Sequence, residues 1–206
     1  ERATEVLEQI LLKDSDEAMQ KKALFSLSQS DSPRARQALR AFVRRTDVDP
    51  DVRGEAIFWL GQSGNGESSA ILREIFATAR DPEVQEKILF ALSQNPSAEN
   101  SRFLLARAKD RSLPAEMRKT ALFWAGQGGV PMRDLADIYD RAGDDRDLRQ
   151  QVIFTLSQRN DGEGVEKLID IARKESDREL RKQAIFWLGQ SRDPRATKFI
   201  EELINK

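Results

Sequence analysis

Ile57-Phe58-Trp59-Leu60-Gly61-Gln62 is one of six copies of a single hexad. The others are Leu24-Phe25-Ser26-Leu27-Ser28-Gln29, Leu89-Phe90-Ala91-Leu92-Ser93-Gln94, Leu122-Phe123-Trp124-Ala125-Gly126-Gln127, Ile153-Phe154-Thr155-Leu156-Ser157-Gln158 and Ile185-Phe186-Trp187-Leu188-Gly189-Gln190. Successive Phe residues are 33, 32, 33, 31 and 32 positions apart. A period in this range marks a stacked helical-repeat solenoid, in which each unit buries its apolar face only against its neighbours.

Within each period two helices are expected. The one bearing the hexad starts at an Asp nine residues before the Phe: Asp16, Asp49, Asp81, Asp145 and Asp177. A carboxylate there accepts orphan amide hydrogens of the first turn, and Pro50 and Pro82 occupy a first helical position that needs no N–H. The fourth period carries Ser112-Leu113-Pro114 instead, with Ser112 as the expected cap. Between hexads lie plain amphipathic patterns. Ala3, Val6, Leu7, Ile10 and Leu11 form one, Ala35, Ala38, Leu39, Phe42 and Val43 another, and Ala196, Phe199, Ile200, Leu203 and Ile204 a third. Weaker versions fill the other intervals. The count is seven first helices and six hexad helices, with no strand. The fold expected is an all-α, right-handed α-solenoid of about six and a half helical hairpins, as a single domain over residues 1–206 or a piece of a longer array. The uncovered apolar side of the last pattern allows a monomer or an end-to-end dimer.

Composition closes several functional routes. The 206 residues carry 34 basic and 35 acidic side chains, a net charge of −1, so bulk charge does not call for nucleic acid or an anionic membrane. No apolar run exceeds five residues, too short for membrane insertion. With no Cys and no His, thiolate and imidazole chemistry are absent, and with them the commonest nucleophile–base pairs and metal ligands. Asp47-x-Asp49-x-Asp51 opens like a calcium loop, but Val52 and Phe58 stand where Gly and a bidentate Glu are needed. Gly61 to Gly66 and Gly126 to Gly129 follow no strand and lack a Lys-Ser/Thr ending, so they read as helix stops rather than phosphate cradles. Asp144-Asp145 and Asp161-Gly162-Glu163 are turn and cap acids. No catalytic residue and no cofactor are expected.

Asp49-Pro50-Asp51-Val52-Arg53-x-x-Ala56 and Asp81-Pro82-Glu83-Val84-Gln85, each followed by a Leu-Gly or Leu-Ser turn, resemble the HEAT-repeat family, in particular its short bacterial, phycobilin-lyase-like form. The matching Arg recurs at Arg53, Arg118, Arg149 and Arg181, with Gln20 and Gln85 in two repeats. Such an Asp and Arg four apart can pair along one helix, as at Asp49 and Arg53, and the resemblance implies that they tie neighbouring repeats together. It covers essentially the whole chain and implies fold far more than function, because the family includes scaffolds, lyases, DNA-repair enzymes and di-iron hydroxylases. The hydroxylases need His-Glu motifs that this sequence lacks. The resemblance also implies that second helices line a concave surface.

A helical wheel places Val52, Ala56, Ile57, Leu60 and Trp59 on one broad arc, with Phe58 and Gln62 roughly opposite. The Phe–Gln pair recurs at i and i+4 and so forms one stripe. In one reading the rings wedge between adjacent second helices and the Gln side chains form a ladder. In the other, Phe58, Gln62, Phe90, Gln94, Phe123, Gln127, Phe154 and Gln158 form an aromatic–amide strip that binds a peptide or protein partner. The two coexist if the rings are half buried. The residue after Phe alternates Ser26, Trp59, Ala91, Trp124, Thr155, Trp187, and Trp always accompanies Gly two places on, so the unit is a block of two repeats. The indoles read as core-edge packing, with space supplied by the small residue of the adjacent repeat. The competing functional class is nucleic acid. Lys21, Lys22, Lys87, Lys119 and Lys182, against Glu55 and Glu86, would give the groove an excess of about three positive charges for phosphate. The preferred expectation is a non-enzymatic interaction scaffold.

Overall fold

The computed structural model describes residues 2–13, 16–159 and 162–205, so Asp161 of the turn motif lies outside the described residues. Among the described residues there are thirteen helices and no strand. They are α1 (Arg2–Lys13), α2 (Glu17–Ser28), α3 (Pro33–Val43), α4 (Pro50–Gln62), α5 (Gly66–Thr78), α6 (Pro82–Ser93), α7 (Ala98–Lys109), α8 (Ala115–Gln127), α9 (Met132–Arg141), α10 (Arg146–Ser157), α11 (Glu163–Lys174), α12 (Arg178–Gln190) and α13 (Pro194–Ile204). The even-numbered helices carry the hexads. The chain forms two compact units, Glu1–Phe103 and Leu104–Lys206.

In the first unit α1, α3 and α5 pack side by side as one layer, and α2, α4 and α6 as a second. In the second unit α9, α11 and α13 form one layer and α8, α10 and α12 the other. The core lies between the layers. Val52, Ala56, Ile57 and Leu60 of α4 and Val84, Ile88, Leu89 and Leu92 of α6 are fully or almost fully buried, as are Val152, Ile153 and Leu156 of α10. This all-helical, two-layer stacking is that of an α-solenoid.

Local chemistry sets the helix starts. Asp16, Asp49, Asp81, Asp145 and Asp177 each accept amide hydrogens of their helix's first turn, and Asn65 and Asp193 do the same for α5 and α13. Ser112 does not cap α8. That helix starts later, after Pro114, and both the amide and the hydroxyl of Ser112 donate to Asp110 Oδ1 within the preceding turn. At the ends of α4 and α8, Gly64 and Gly129 adopt φ +64° and +75°, the left-handed turn that a side chain resists.

The Arg residues four after the caps do not pair along their own helices. Arg53 is buried, and its Nε donates to the Val43 carbonyl at the end of α3 at 2.9 Å, while its charge faces Asp81 at the start of α6. Asp49 is engaged instead with the amides of Asp51 and Val52. Arg118 pairs with Asp145, one repeat on, and Arg181 donates to the Glu175 carbonyl at 3.1 Å. Gln85 keeps the backward half of this pattern with a 3.0 Å bond to the Ala79 carbonyl. Each side chain thus ties its helix to a neighbour.

A denser polar network sits in the second unit. Tyr139 donates to the buried Glu175 carboxylate, Arg149 pairs with the same oxygen, and the Arg149 guanidinium lies 4.6 Å from the Tyr139 ring centre. Burial would raise the Glu175 carboxyl, but bonds from Tyr139 and the Asp177 amide, with the Arg149 charge, hold it below the ordinary value. In the first unit buried Asn100 performs a similar service. Its amide donates to Ser69, Leu92 and Asn95, and its carbonyl accepts from Arg73. The termini are less covered. Val6 and Leu12 of α1 and Leu203 and Ile204 of α13 are exposed, so Ala3 and Val6 do not join the core as their periodicity implies.

Candidate functional site

The six hexads place Phe and Gln on the outer side of the even-numbered layer of each unit. Phe58, Phe90, Phe123 and Phe154 are half-buried, whereas Phe25 and Phe186 are 49% and 57% exposed. All six Gln side chains are exposed. The rings are therefore partly packing and partly surface.

The packing half is aromatic. Phe25 lies 5.2 Å from Trp59 of the next repeat, and Phe154 lies 5.5 Å from Trp187. Within a helix, Phe58–Trp59, Phe123–Trp124 and Phe186–Trp187 meet edge to face at 4.9, 4.9 and 5.1 Å. Phe123 and Phe154 stack at 6.3 Å. Such pairs favour offset or edge-on geometry because ring faces are negative and edges positive. Trp59 and Trp187 are half-buried, so each indole is both a packing element and part of the exposed strip.

The two-repeat alternation has a steric cause different from the one expected. A Cβ on Gly61 would stand 2.8 Å from the Ala91 Cβ, and one on Gly126 would stand 2.2 Å from Thr155 Cγ2. The glycine of a Trp repeat is therefore the partner that gives way, letting the next even helix approach with its small residue. Trp59 and Trp187 instead face the Phe of the preceding repeat.

The Gln residues do not form a ladder. In the Ser repeats, Ser28, Ser93 and Ser157 each donate to the carbonyl of their hexad Phe at 2.7 Å. Gln29, Gln94 and Gln158 then donate to those hydroxyls at 3.2, 3.3 and 3.2 Å. In the Trp repeats glycine removes the hydroxyl, and Gln62, Gln127 and Gln190 have no hydrogen-bond partner among the described residues.

Three of the five lysines are paired on the spot. Lys87 crosses Gly54 to reach Asp51 of the preceding even helix at 3.0 Å. Lys119 sits 2.9 Å from Glu116 and 4.0 Å from Asp147, and Lys182 lies 2.8 Å from Glu179. The hydrogen bond that Lys87 donates holds the Asp51 carboxyl below its ordinary value, and the one that Lys119 donates to Glu116 raises its own ammonium. The positive excess read from the sequence omitted these acids: Glu116 and Glu179 lie one turn before their lysines on the same helices, and Asp51 and Asp147 come from the first turns of neighbouring ones. Among the described residues no group of three or more Asp or Glu is placed to hold a metal ion, and no helix is long and apolar enough to cross a membrane.

The family model for HEAT repeats matches residues 4–93, 41–123 and 132–206. The chain belongs to the HEAT-repeat family. Among solved structures it is similar to human deoxyhypusine hydroxylase in complex with glycerol, with 15% identity, a TM-score of 0.53, and coverage of 98% of this chain and 89% of that one. At that identity the likeness is one of fold. No curated protein matches the chain.

Proposed function

We propose that this chain is a non-catalytic interaction scaffold that binds a peptide or protein partner on the even-helix face of its repeats. The observation that carries the reading is the set of half-buried Phe rings beside exposed Gln amides. Rings that keep part of their surface in water can bury it against a partner, and amides at the same turns can satisfy the partner's polar groups. HEAT repeats are typical of protein-interaction scaffolds, and the fold offers long rows of equivalent positions rather than one deep site. Local pairing of Lys87, Lys119 and Lys182 weighs against a phosphate-binding groove. The chain has neither His nor Cys, which leaves the strip without the usual acid–base and nucleophilic groups.

The test is the double substitution Phe90→Ser/Phe123→Ser, scored for melting temperature and for partner capture from an extract of the source cells. Because both rings are half-buried, each change should cost about 1–2 kcal/mol, roughly half the penalty of emptying a core Phe site. Capture should be lost while the variant stays folded at the assay temperature. Retained capture by the folded variant would remove the strip from the interaction.

A further inference from the structure

The two-repeat block duplicates a cavity as well as a sequence. In the first unit a cleft of about 480 Å³ opens at the C-terminal ends of α2 and α4, against α3, with Leu27, Gln29, Leu39, Trp59, Gln62 and Ser63 in its lining. In the second unit a cleft of about 570 Å³ at the ends of α10 and α12, against α11, carries the counterparts Leu156, Gln158, Leu168, Trp187, Gln190 and Ser191. Each rim carries two Arg and one Asp, but at positions that do not correspond. Asp31, Arg36 and Arg40 border one, while Arg159, Arg192 and Asp193 border the other. What the clefts share is two leucines, one indole, two primary amides and the two serines next to those amides.

The two amides are in different states. Gln29 and Gln158 donate to Ser28 and Ser157, whose own protons go to the Phe carbonyls. Each of these Gln side chains is thereby anchored with its Oε1 available as an acceptor. Gln62 and Gln190 follow Gly61 and Gly189 and have no hydrogen-bond partner among the described residues, so they offer both donors and acceptor. An oriented acceptor beside a free amide matches the N–H and C=O of a peptide main chain. A helical segment has consumed those groups internally, so the complement is an extended segment.

We propose that each cleft binds a short, uncharged, extended peptide segment. The anchored Gln accepts a backbone N–H, the free Gln donates to a backbone carbonyl, and an aromatic or aliphatic side chain lies on the indole above the two leucines. This rests on the scaffold reading and gives it a ligand chemistry. The shared amides, indole and leucines, rather than the differently placed rim charges, carry the recognition.

The probe is the blocked peptide acetyl-Gly-Ser-Phe-Ser-Gly-amide, titrated into isotope-labelled full chain and followed by NMR. Saturable shifts are expected in the indole N–H signals of Trp59 and Trp187 and the side-chain amides of Gln62 and Gln190. Methylating the Phe nitrogen of the peptide should weaken binding at least tenfold, as should Gln62→Leu/Gln190→Leu, which removes exposed amides and leaves the melting temperature unchanged. Absence of saturable shifts, equal binding of the methylated peptide, or indifference to the Gln changes each overturns the proposal. If those tests fail while Phe90→Ser/Phe123→Ser still abolishes partner capture, the cleft proposal falls and the scaffold stands. If capture ignores the Phe changes, the scaffold reading falls first.

Discussion

Gly61 and Gly189 occupy the same hexad, Ile-Phe-Trp-Leu-Gly-Gln, yet the structure gives them opposite sensitivities. A Cβ at 61 meets the Ala91 Cβ at 2.8 Å and its Cα at 3.3 Å, whereas one at 189 meets nothing within 4 Å. Alanine in a helix gains nearly 1 kcal/mol over glycine. Overpacking a close helix contact costs about 1–3 kcal/mol. Gly61→Ala should therefore destabilise by up to about 2 kcal/mol net, and Gly189→Ala should stabilise by up to about 1 kcal/mol. Urea unfolding of the two single variants checks both signs, and Ala91→Gly should relieve part of the Gly61→Ala penalty. The covariation of Trp with Gly was visible in the sequence. Its cause was not, because a wheel treats each helix as isolated and cannot say which neighbour touches which residue. The same limit hid the half-burial of Phe58, Phe90, Phe123 and Phe154, which lie opposite the core arc but pack against neighbouring helices of the even layer.

Between elements, the decisive contacts are those that close one repeat on the next. Arg53, Arg118, Arg149 and Arg181 could be picked out by their spacing from the caps, but their partners could not. The carboxylates and carbonyls they reach lie on other helices, and the register between helices is set by core packing. Tyr139 and Glu175 carried no repeating signal at all. Glu175→Ala should nevertheless cost about 3 kcal/mol, since it leaves the Arg149 charge and the Tyr139 hydroxyl without their partner at a buried site. The pH dependence follows from the signs. Glu175 is held below its ordinary value of 4.5, so its contribution is fully present above that pH and fades as acid titrates the folded carboxylate. Burial, then the bond to Glu175, raises the Tyr139 hydroxyl above its ordinary value of 10.0, so that contribution persists below pH 10 and is lost only in stronger alkali. Glu175→Gln should consequently narrow its stability gap to the unsubstituted protein between pH 7 and pH 3.5. A gap that stays constant by urea midpoint over that range would show that the carboxylate's charge is not what matters there.

At the scale of the whole chain, helix number, alternation and layer assignment were legible because six copies of one hexad leave little freedom. The electrostatic character of the even-helix face was not. Counting Lys21, Lys22, Lys87, Lys119 and Lys182 against Glu55 and Glu86 gives a positive strip, but Asp51, Glu116, Asp147 and Glu179 belong to the same neighbourhoods and pair with three of those lysines. Exposed pairs of this kind add little stability, yet they cancel the local field that would attract phosphate. A nucleic-acid groove needs unpaired cations whose counterions are released on binding, and its affinity then falls steeply with salt. With net charge −1 and those lysines occupied, the chain should show no measurable affinity for a 20-base-pair duplex or a 20-base single strand at 50 mM salt by fluorescence anisotropy. Peptide capture by the amide–indole clefts should change little between 50 and 500 mM salt, because its interactions are apolar contacts and neutral hydrogen bonds. Duplex binding that weakens at least tenfold over the same range, and that Lys87→Ala/Lys119→Ala abolishes, would instead make phosphate the ligand and the Phe–Gln strip its packing support.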